Sequence, residues 1–165
     1  MTIDQGPAIP LEPRTPAYLA GLLLAGRPVV VVGGGRVALR RIPRLLQAGA
    51  VVTVIAPVLH PDLARLADLG AIAWHERPFV ATDLNDAWYV LAATDVPRVN
   101  ADVAAEAEVR HTFCVRADRA EAGSAWTPAT GTVEGAVVAV LTDHDPRRAR
   151  DLRDRAVQAL TDADE

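Results

Sequence analysis

Gly33-Gly34-Gly35-Arg36-Val37-Ala38 fits the pattern G-x-G-x-x-A. It follows Val29-Val30-Val31-Val32 and precedes a segment whose apolar residues recur at helical spacing. A strand that passes through glycines into a helix can cradle the pyrophosphate of a dinucleotide. The first glycine permits a tight turn, the second lets the backbone approach the phosphates, and a small third residue lets helix pack on strand. The helix start then offers unpaired N–H groups to the anion. A plain strand–helix turn also uses glycines, but it does not need this placement between strand and helix. An acidic residue that would hold a ribose is expected about 20 residues further on. Ala56-Pro57 stands there instead, with no arginine to meet a ribose phosphate, which leaves the ribose to backbone groups.

Other chemistry is narrowed by what the chain lacks. All 17 basic residues are arginine, which excludes Schiff-base catalysis and an ordinary P-loop lysine. Cys114 is the one cysteine, so neither an internal disulfide nor a cysteine-based zinc cluster can form. Ser124 has no catalytic triad around it in the sequence. Asp143-His144-Asp145 has metal-ligand residue types, but Asp145 followed by Pro146 is accounted for as an N-cap with proline at the first helical position. No metal site is assigned. His60, His75 and His111 fall at element ends, as structural or exposed residues. Trp88, at a strand start, is expected in the core.

The elements that must position these residues alternate. Strands are expected at 29–32, 51–55, 71–75, 88–93 and 111–115, and helices at 36–48, 60–69 and 97–109. Gly49 and Gly70 stop the first two helices. Short connections between alternating strands and helices imply a parallel sheet covered on both faces. After Asp118 the pattern changes to two strands, 123–132 and 136–141, turning near Glu134-Gly135. A basic helix over 146–160 follows. The expected architecture is α/β: a Rossmann-like, doubly wound parallel sheet, then a β-hairpin and a C-terminal helix. The divisions are a proline-rich leader over 1–16, a nucleotide-binding domain over 17–118 and a hairpin with helical tail over 119–165.

The chain has 165 residues, enough for one domain with its own core. Only 4% are aromatic, so that core must be aliphatic. A net charge of -4 argues against general nucleic-acid binding. The run Tyr18 to Ala25 is too short to span a bilayer. The expectation is a cytoplasmic protein with a loose N-terminal tail.

Several segments coincide with one family. They are Val30-Val31-Val32-Gly33-Gly34-Gly35-Arg36-Val37-Ala38, Ala48-Gly49-Ala50-Val51-Val52-Thr53-Val54-Ile55-Ala56-Pro57, Ala92-Ala93-Thr94-Asp95 with Asn100, and Phe113-Cys114-Val115-Arg116-Ala117-Asp118. Over roughly residues 17–160 the chain resembles the N-terminal domain of siroheme synthase and its stand-alone relatives, precorrin-2 dehydrogenase/sirohydrochlorin ferrochelatase. The resemblance implies oxidation of precorrin-2 to sirohydrochlorin with NAD, and in many members insertion of Fe2+ to give siroheme. It also implies a homodimer, and fusion to or association with a uroporphyrinogen methyltransferase. The family's cofactor contacts fall on Gly33, Gly34, Gly35, Arg36 and Val37, on Pro57 and Val58, and on Thr94 and Asp95. Its functional aspartate falls on Asp118, at the carboxyl end of the sheet, as a base or as a group that orients the macrocycle. Substrate contacts are expected from Arg116, Ser124, Thr142, Arg147 and Arg148, since arginine pairs carboxylates bidentately and precorrin-2 is an octacarboxylate. Arg150 and Arg153 extend the same basic helix start. A solvated face paired with Asp151 and Asp154 would explain these arginines equally well.

The chain departs from the family in two places. Val115-Arg116-Ala117-Asp118 replaces a usual Asn-Val-Val-Asp, and Thr142-Asp143-His144-Asp145-Pro146 replaces a glycine-rich turn. Two readings stand at this point: a precorrin-2 dehydrogenase, with or without iron insertion, and a non-catalytic nucleotide-binding or dimerising module. NAD against NADP, and iron against cobalt, are left open by the sequence.

Overall fold

Val29, Val31 and Val32 are almost fully buried and Val30 nearly so, which requires packing on both faces of their strand. The computed structural model, which describes residues 17–143 and 145–163, supplies both layers. The leader expected over 1–16, and His144, lie outside the described residues. Five strands, β1 (Pro28–Val32), β2 (Val51–Ile55), β3 (Ala73–His75), β4 (Tyr89–Ala92) and β5 (Phe113–Arg116), form one sheet. Its order is β3-β2-β1-β4-β5 and each pairing is parallel. This is the Rossmann-like arrangement expected, with β1 at its centre.

The side chains of β1 alternate between two cores. Val29 and Val31 join Ala38 and Ile42 of α1 (Arg36–Gln47) and Leu63 of α2 (Pro61–Asp68). Val30 and Val32 join Val103 and Ala107 of α3 (Pro97–Val109) on the other face. The buried hydrophobic residues are Val, Leu, Ile, Ala and one Cys, the aliphatic core that the composition demands. Burial pushes the Cys114 thiol up to about 11, so it stays protonated at neutral pH. Gly49 and Gly70 end α1 and α2 with φ of +75° and +69°, conformations that favour glycine.

Beyond the sheet, β6 (Ala129–Val133) and β7 (Ala136–Val140) form an antiparallel hairpin. Glu134 and Gly135 both have positive φ, the geometry of a tight two-residue hairpin turn. The last helix, α4 (Pro146–Asp162), lies across β6 at Gly131, where an added Cβ would sit 2.6 Å from Val157 Cγ2. Asp145 caps α4 by accepting from the Arg147 and Arg148 N–H groups, as the Asp-Pro pair predicts.

Three expectations need correction. The first hairpin strand begins at Ala129, not Gly123. Residues 120–122 form a short turn of helix, and Gly123 tucks against the Cys114 carbonyl where no Cβ fits. β5 begins at Phe113, because His111 takes a left-handed φ of +54° and closes the preceding turn. Trp88 is not in the core: it is 58% exposed, with the Arg27 guanidinium 3.6 Å from its ring centroid. A cation on its face satisfies the ring at the surface.

Neighbouring positions on α1 should respond with opposite signs. Ile42 is fully buried, so Ile42→Ala should cost about 2–5 kcal/mol. Pro43 is exposed inside the same helix and lacks the N–H that would bond Leu39. Pro43→Ala should therefore stabilise by about 1 kcal/mol or more. Urea unfolding of both variants checks this; a destabilised Pro43→Ala would show that the proline is needed for the path of α1.

Candidate functional site

The carboxyl ends of β1, β2 and β4 meet at one crevice, the place where an open α/β sheet binds ligands. A cavity of about 740 Å³ lies there. Gly33, Gly34, Gly35 and Arg36 line it after β1, Pro57 and Val58 after β2, and Thr94 and Asp95 after β4. The structure thus brings together every cofactor residue named from the sequence except the Val37 side chain, which packs against the core. Pro78, Phe79, Val99 and Asp102 add lining that the loop pattern did not point to.

Each glycine has a separate reason. Gly33 has φ +113°, and a Cβ on it would meet the Ala93 carbonyl oxygen at 2.4 Å. Gly34 would meet the Val58 carbonyl oxygen, also at 2.4 Å. Gly35 has open space where a Cβ would stand. It is the N-cap of α1, makes no side-chain cap, and no acidic residue occupies the first helical turn. The amides of that turn are left for an anion, and the residues present fit a dinucleotide phosphate. At the end of β2 the Ala56 carbonyl accepts from Trp74 Nε1 at 2.9 Å, and the residues there, Ala56, Pro57 and Val58, carry no polar side chain.

Thr94 is tied to a buried hub. Asn100 is fully buried, its Oδ1 accepts from the Thr94 N–H and Oγ1, and its Nδ2 donates to the Thr94 carbonyl. Asp118 stands beside this hub in a two-point pair with Arg116: Nε to Oδ1 is 3.2 Å and Nη2 to Oδ2 is 2.6 Å. The Arg116 hydrogen bond holds the Asp118 carboxyl below the usual carboxylate range, with Asn100 adding to the effect. Asp118 is therefore a standing negative charge rather than a group poised to titrate near neutrality. Arg116 is 8% exposed; its Nε and Nη2 are engaged by Asp118, and Nη2 also by the Pro97 carbonyl.

A second cavity, of about 480 Å³, opens between α1, the hairpin and α4. Thr142 lines it, as do Trp126 and Thr127. Arg147 and Arg148 are exposed in the first turn of α4 and line neither cavity, whereas Arg150 and Arg153 on the next turn line the second one. Arg40, Arg41 and Arg44 of α1 also line it. The 36, 40, 44 spacing of arginines on one helix was the available signal for them. Ser124 lines neither cavity; its Oγ accepts from the Cys114 N–H at 2.9 Å and secures the β5 edge. Among the described residues no three His, Cys, Asp or Glu side chains converge as a metal site, and no helix is long and apolar enough to cross a membrane. His144 of the Asp143-His144-Asp145 segment lies outside the described residues.

Residues 21–129 match a family model described as "Putative NAD(P)-binding". Siroheme synthase of Escherichia coli O157:H7 is 38% identical over 138 residues, which cover 83% of this chain and 30% of that one. Siroheme synthase 3 of Aeromonas hydrophila is 50% identical over 78 residues, 47% of this chain and 17% of that one. The chain spans less than a third of the length of these curated relatives. Among solved structures, "SirC, precorrin-2 dehydrogenase" superposes with a TM-score of 0.76 at 26% identity, covering 87% of this chain and 71% of that one.

Gly35 provides a test of where the phosphates sit. Its φ of -91° and ψ of -163° suit a capping serine. Gly35→Ser should raise stability by a few tenths of a kcal/mol, about the difference between these caps. It should also weaken NADH binding about tenfold or more, because its hydroxyl occupies the anion's place. Thermal unfolding and NADH fluorescence titration read the two effects. Unchanged affinity would place the phosphates away from the start of α1.

Proposed function

We propose that this chain, which belongs to the NAD(P)-binding family whose model spans residues 21–129, is a precorrin-2 dehydrogenase that forms sirohydrochlorin with NAD+. The observation that carries the proposal is the nucleotide crevice, with the Asp118–Arg116 pair linked to its rim through Asn100 and Thr94. The structural likeness to a precorrin-2 dehydrogenase and the sequence likeness to siroheme synthases supply the substrate. NAD rather than NADP is proposed because Ala56-Pro57 ends β2 with no cation for a ribose phosphate.

Two hydrogens must leave precorrin-2, one as hydride and one as a proton. Bound nicotinamide supplies the hydride acceptor. The chain's own contribution is to hold the macrocycle and to stabilise the positive charge that builds on it as hydride leaves. Asp118, kept ionised by Arg116, suits that electrostatic task. Its low proton affinity makes it a poor store for the released proton, which passes to water. In the same reading, iron insertion follows as a second step with Fe2+ as substrate. The enzyme works in the cytoplasm as a homodimer formed through residues 119–165, alongside a uroporphyrinogen methyltransferase that supplies precorrin-2. The hairpin's open edges and the 70% exposure of Val137 support a partner on that face.

The direct test is anaerobic. Protein, enzymatically generated precorrin-2 and NAD+ or NADP+ are followed by absorbance for sirohydrochlorin and reduced nicotinamide, then again after Fe2+ is added. Sirohydrochlorin formed in step with NADH supports the proposal. No oxidation with either cofactor would favour a binding platform, and faster turnover with NADP+ would give Arg36, the arginine at the cavity rim, the ribose phosphate.

Asp118→Asn should lower kcat by about 100-fold or more with NADH affinity unchanged. Because the folded-state value of Asp118 lies below its unfolded value, its stabilising effect is present above the unfolded value and is lost as pH falls through the folded one. Wild-type turnover should therefore show no acid limb from Asp118 between about pH 5 and pH 8. A limb in that range that disappears in Asp118→Asn would reinstate it as a titrating base.

A further inference from the structure

Five arginines line the second cavity: Arg40, Arg41 and Arg44 from α1, and Arg150 and Arg153 from α4. One acid, Asp145, lines it with them, and its carboxylate is already spent on the Arg147 and Arg148 amides. Arg153 is also engaged, by the Thr130 carbonyl and by Asp154. Among the described residues, Arg40, Arg41, Arg44 and Arg150 have no carboxylate within ion-pair distance.

An ordinary solvated arginine face looks different. It carries acids one turn away, as Arg155 has Asp151 on α4. α1 has four arginines and no acidic residue. The concentration of charge has a cost at Arg41: burial lowers its pKa, Tyr89 opposes that, and Arg44 and Arg40 add to the lowering. Uncompensated positive charge in a concave site attracts a polyanion. The rest of the lining says what kind. Pro128, Val140, Leu141 and Ala149 give the cavity apolar walls beside the arginines. Apolar walls edged by guanidinium groups suit a hydrophobic ring that carries carboxylates better than a small inorganic anion.

The position also fits. Arg36, Arg40 and Arg44 are spaced four apart, so they form one stripe along α1. Arg36 lines the nucleotide cavity and Arg44 the second one. The two positions are about 12 Å apart along the helix axis. Ala120, two positions beyond Asp118, lines the second cavity as well.

We propose that this cavity is a polycarboxylate-binding site in which Arg40, Arg44 and Arg150 take the carboxylates of the tetrapyrrole. The identity of the substrate rests on the reading given above; the site itself does not. This places the clamp on α1 and the second turn of α4, where the sequence pointed to Arg147 and Arg148.

Uroporphyrin III, a stable octacarboxylate macrocycle that needs no turnover, is the probe. Its binding to the full chain is followed by fluorescence at low and high salt, alongside NADH titration and steady-state oxidation of precorrin-2. Arg40→Gln/Arg44→Gln should weaken uroporphyrin binding about tenfold or more, the loss of one or two charge-assisted pairs. Arg150→Gln should weaken it less. NADH affinity should be unchanged in both, and the precorrin-2 KM should rise more than kcat falls. Arg155→Gln, whose side chain is paired on the outer face of α4, is the control. Unchanged uroporphyrin affinity in a folded double variant overturns the proposal, as does the absence of saturable binding to the wild type. Displacement by millimolar inorganic phosphate overturns it too, because the site would then be a simple anion trap. Arginine-dependent uroporphyrin binding without any oxidation of precorrin-2 would uphold the site while removing the dehydrogenase reading.

Discussion

The backbone at Gly33 lies so close to the Ala93 carbonyl that no side chain can stand between them. Around this contact the three inner strands are tied together at their carboxyl ends. The Gly33 N–H donates to the Ile55 carbonyl and the Ala93 N–H to the Val32 carbonyl. Any Cβ at residue 33 would have to push the end of β4 away, and β4 leads directly into Thr94. Closeness at this point sets the direction in which α1 leaves the sheet. It also exposes the uncapped start of α1 to the crevice. The nucleotide cavity, the stripe of arginines and the placement of the hairpin beside α1 all follow from that direction.

Much of this was legible in the residues because local chemistry and tertiary role agree. A run of four valines can only be a strand buried on both faces, and glycines followed by Ala38 can only be useful where strand meets helix. Gly49, Gly70 and the Glu134-Gly135 turn announced themselves in the same way, by backbone conformations that few residues tolerate. What was not legible was which partner each side chain takes in the fold. Trp88 reads as core by type, but Arg27, just before β1, covers its ring at the surface. Arg116 reads as a substrate contact, and two of its nitrogens turn out to be engaged by Asp118 and the Pro97 carbonyl. Ser124 reads as a site residue, and in the fold its Oγ accepts from the Cys114 amide, away from both cavities. In each case the residue type was legible and the pairing was not.

The two kinds of charge in the molecule are managed oppositely. Asp118 is paired with Arg116 and steadied by Asn100, so its charge is fixed whatever binds. Arg116 in turn is raised above its ordinary value by the same hydrogen bond, so neither partner changes state near neutrality. The α1 arginines have no carboxylate partner among the described residues, and Arg41 is disfavoured first by burial and then by Arg44 and Arg40, against Tyr89. A fixed carboxylate can act on charge that develops during a reaction without first having to reorganise. The α1 guanidinium groups have no carboxylate to neutralise them, although Arg44 Nη1 donates to Thr130 Oγ1, so their charge stays available to an incoming anion. The first arrangement suits a catalytic group and the second a binding surface.

Placing both cavities against one helix has a mechanical consequence. The start of α1 faces the nucleotide crevice, and its middle faces the arginine cavity, so the distance between the two is set by helix rise rather than by a loop. Helix geometry varies little, and Ile42 and Ala38 anchor α1 to the sheet with no exposed surface. Hydride transfer demands reacting atoms held within a few tenths of an ångström, which favours sites built on rigid elements. Pro43 interrupts the hydrogen-bond ladder between Arg40 and Arg44, at the only stretch of α1 that lines the arginine cavity. The missing bond falls on the Leu39 carbonyl, while Ala38 and Ile42 on the buried face hold the helix on the sheet, so the spacing of the two cavities is kept.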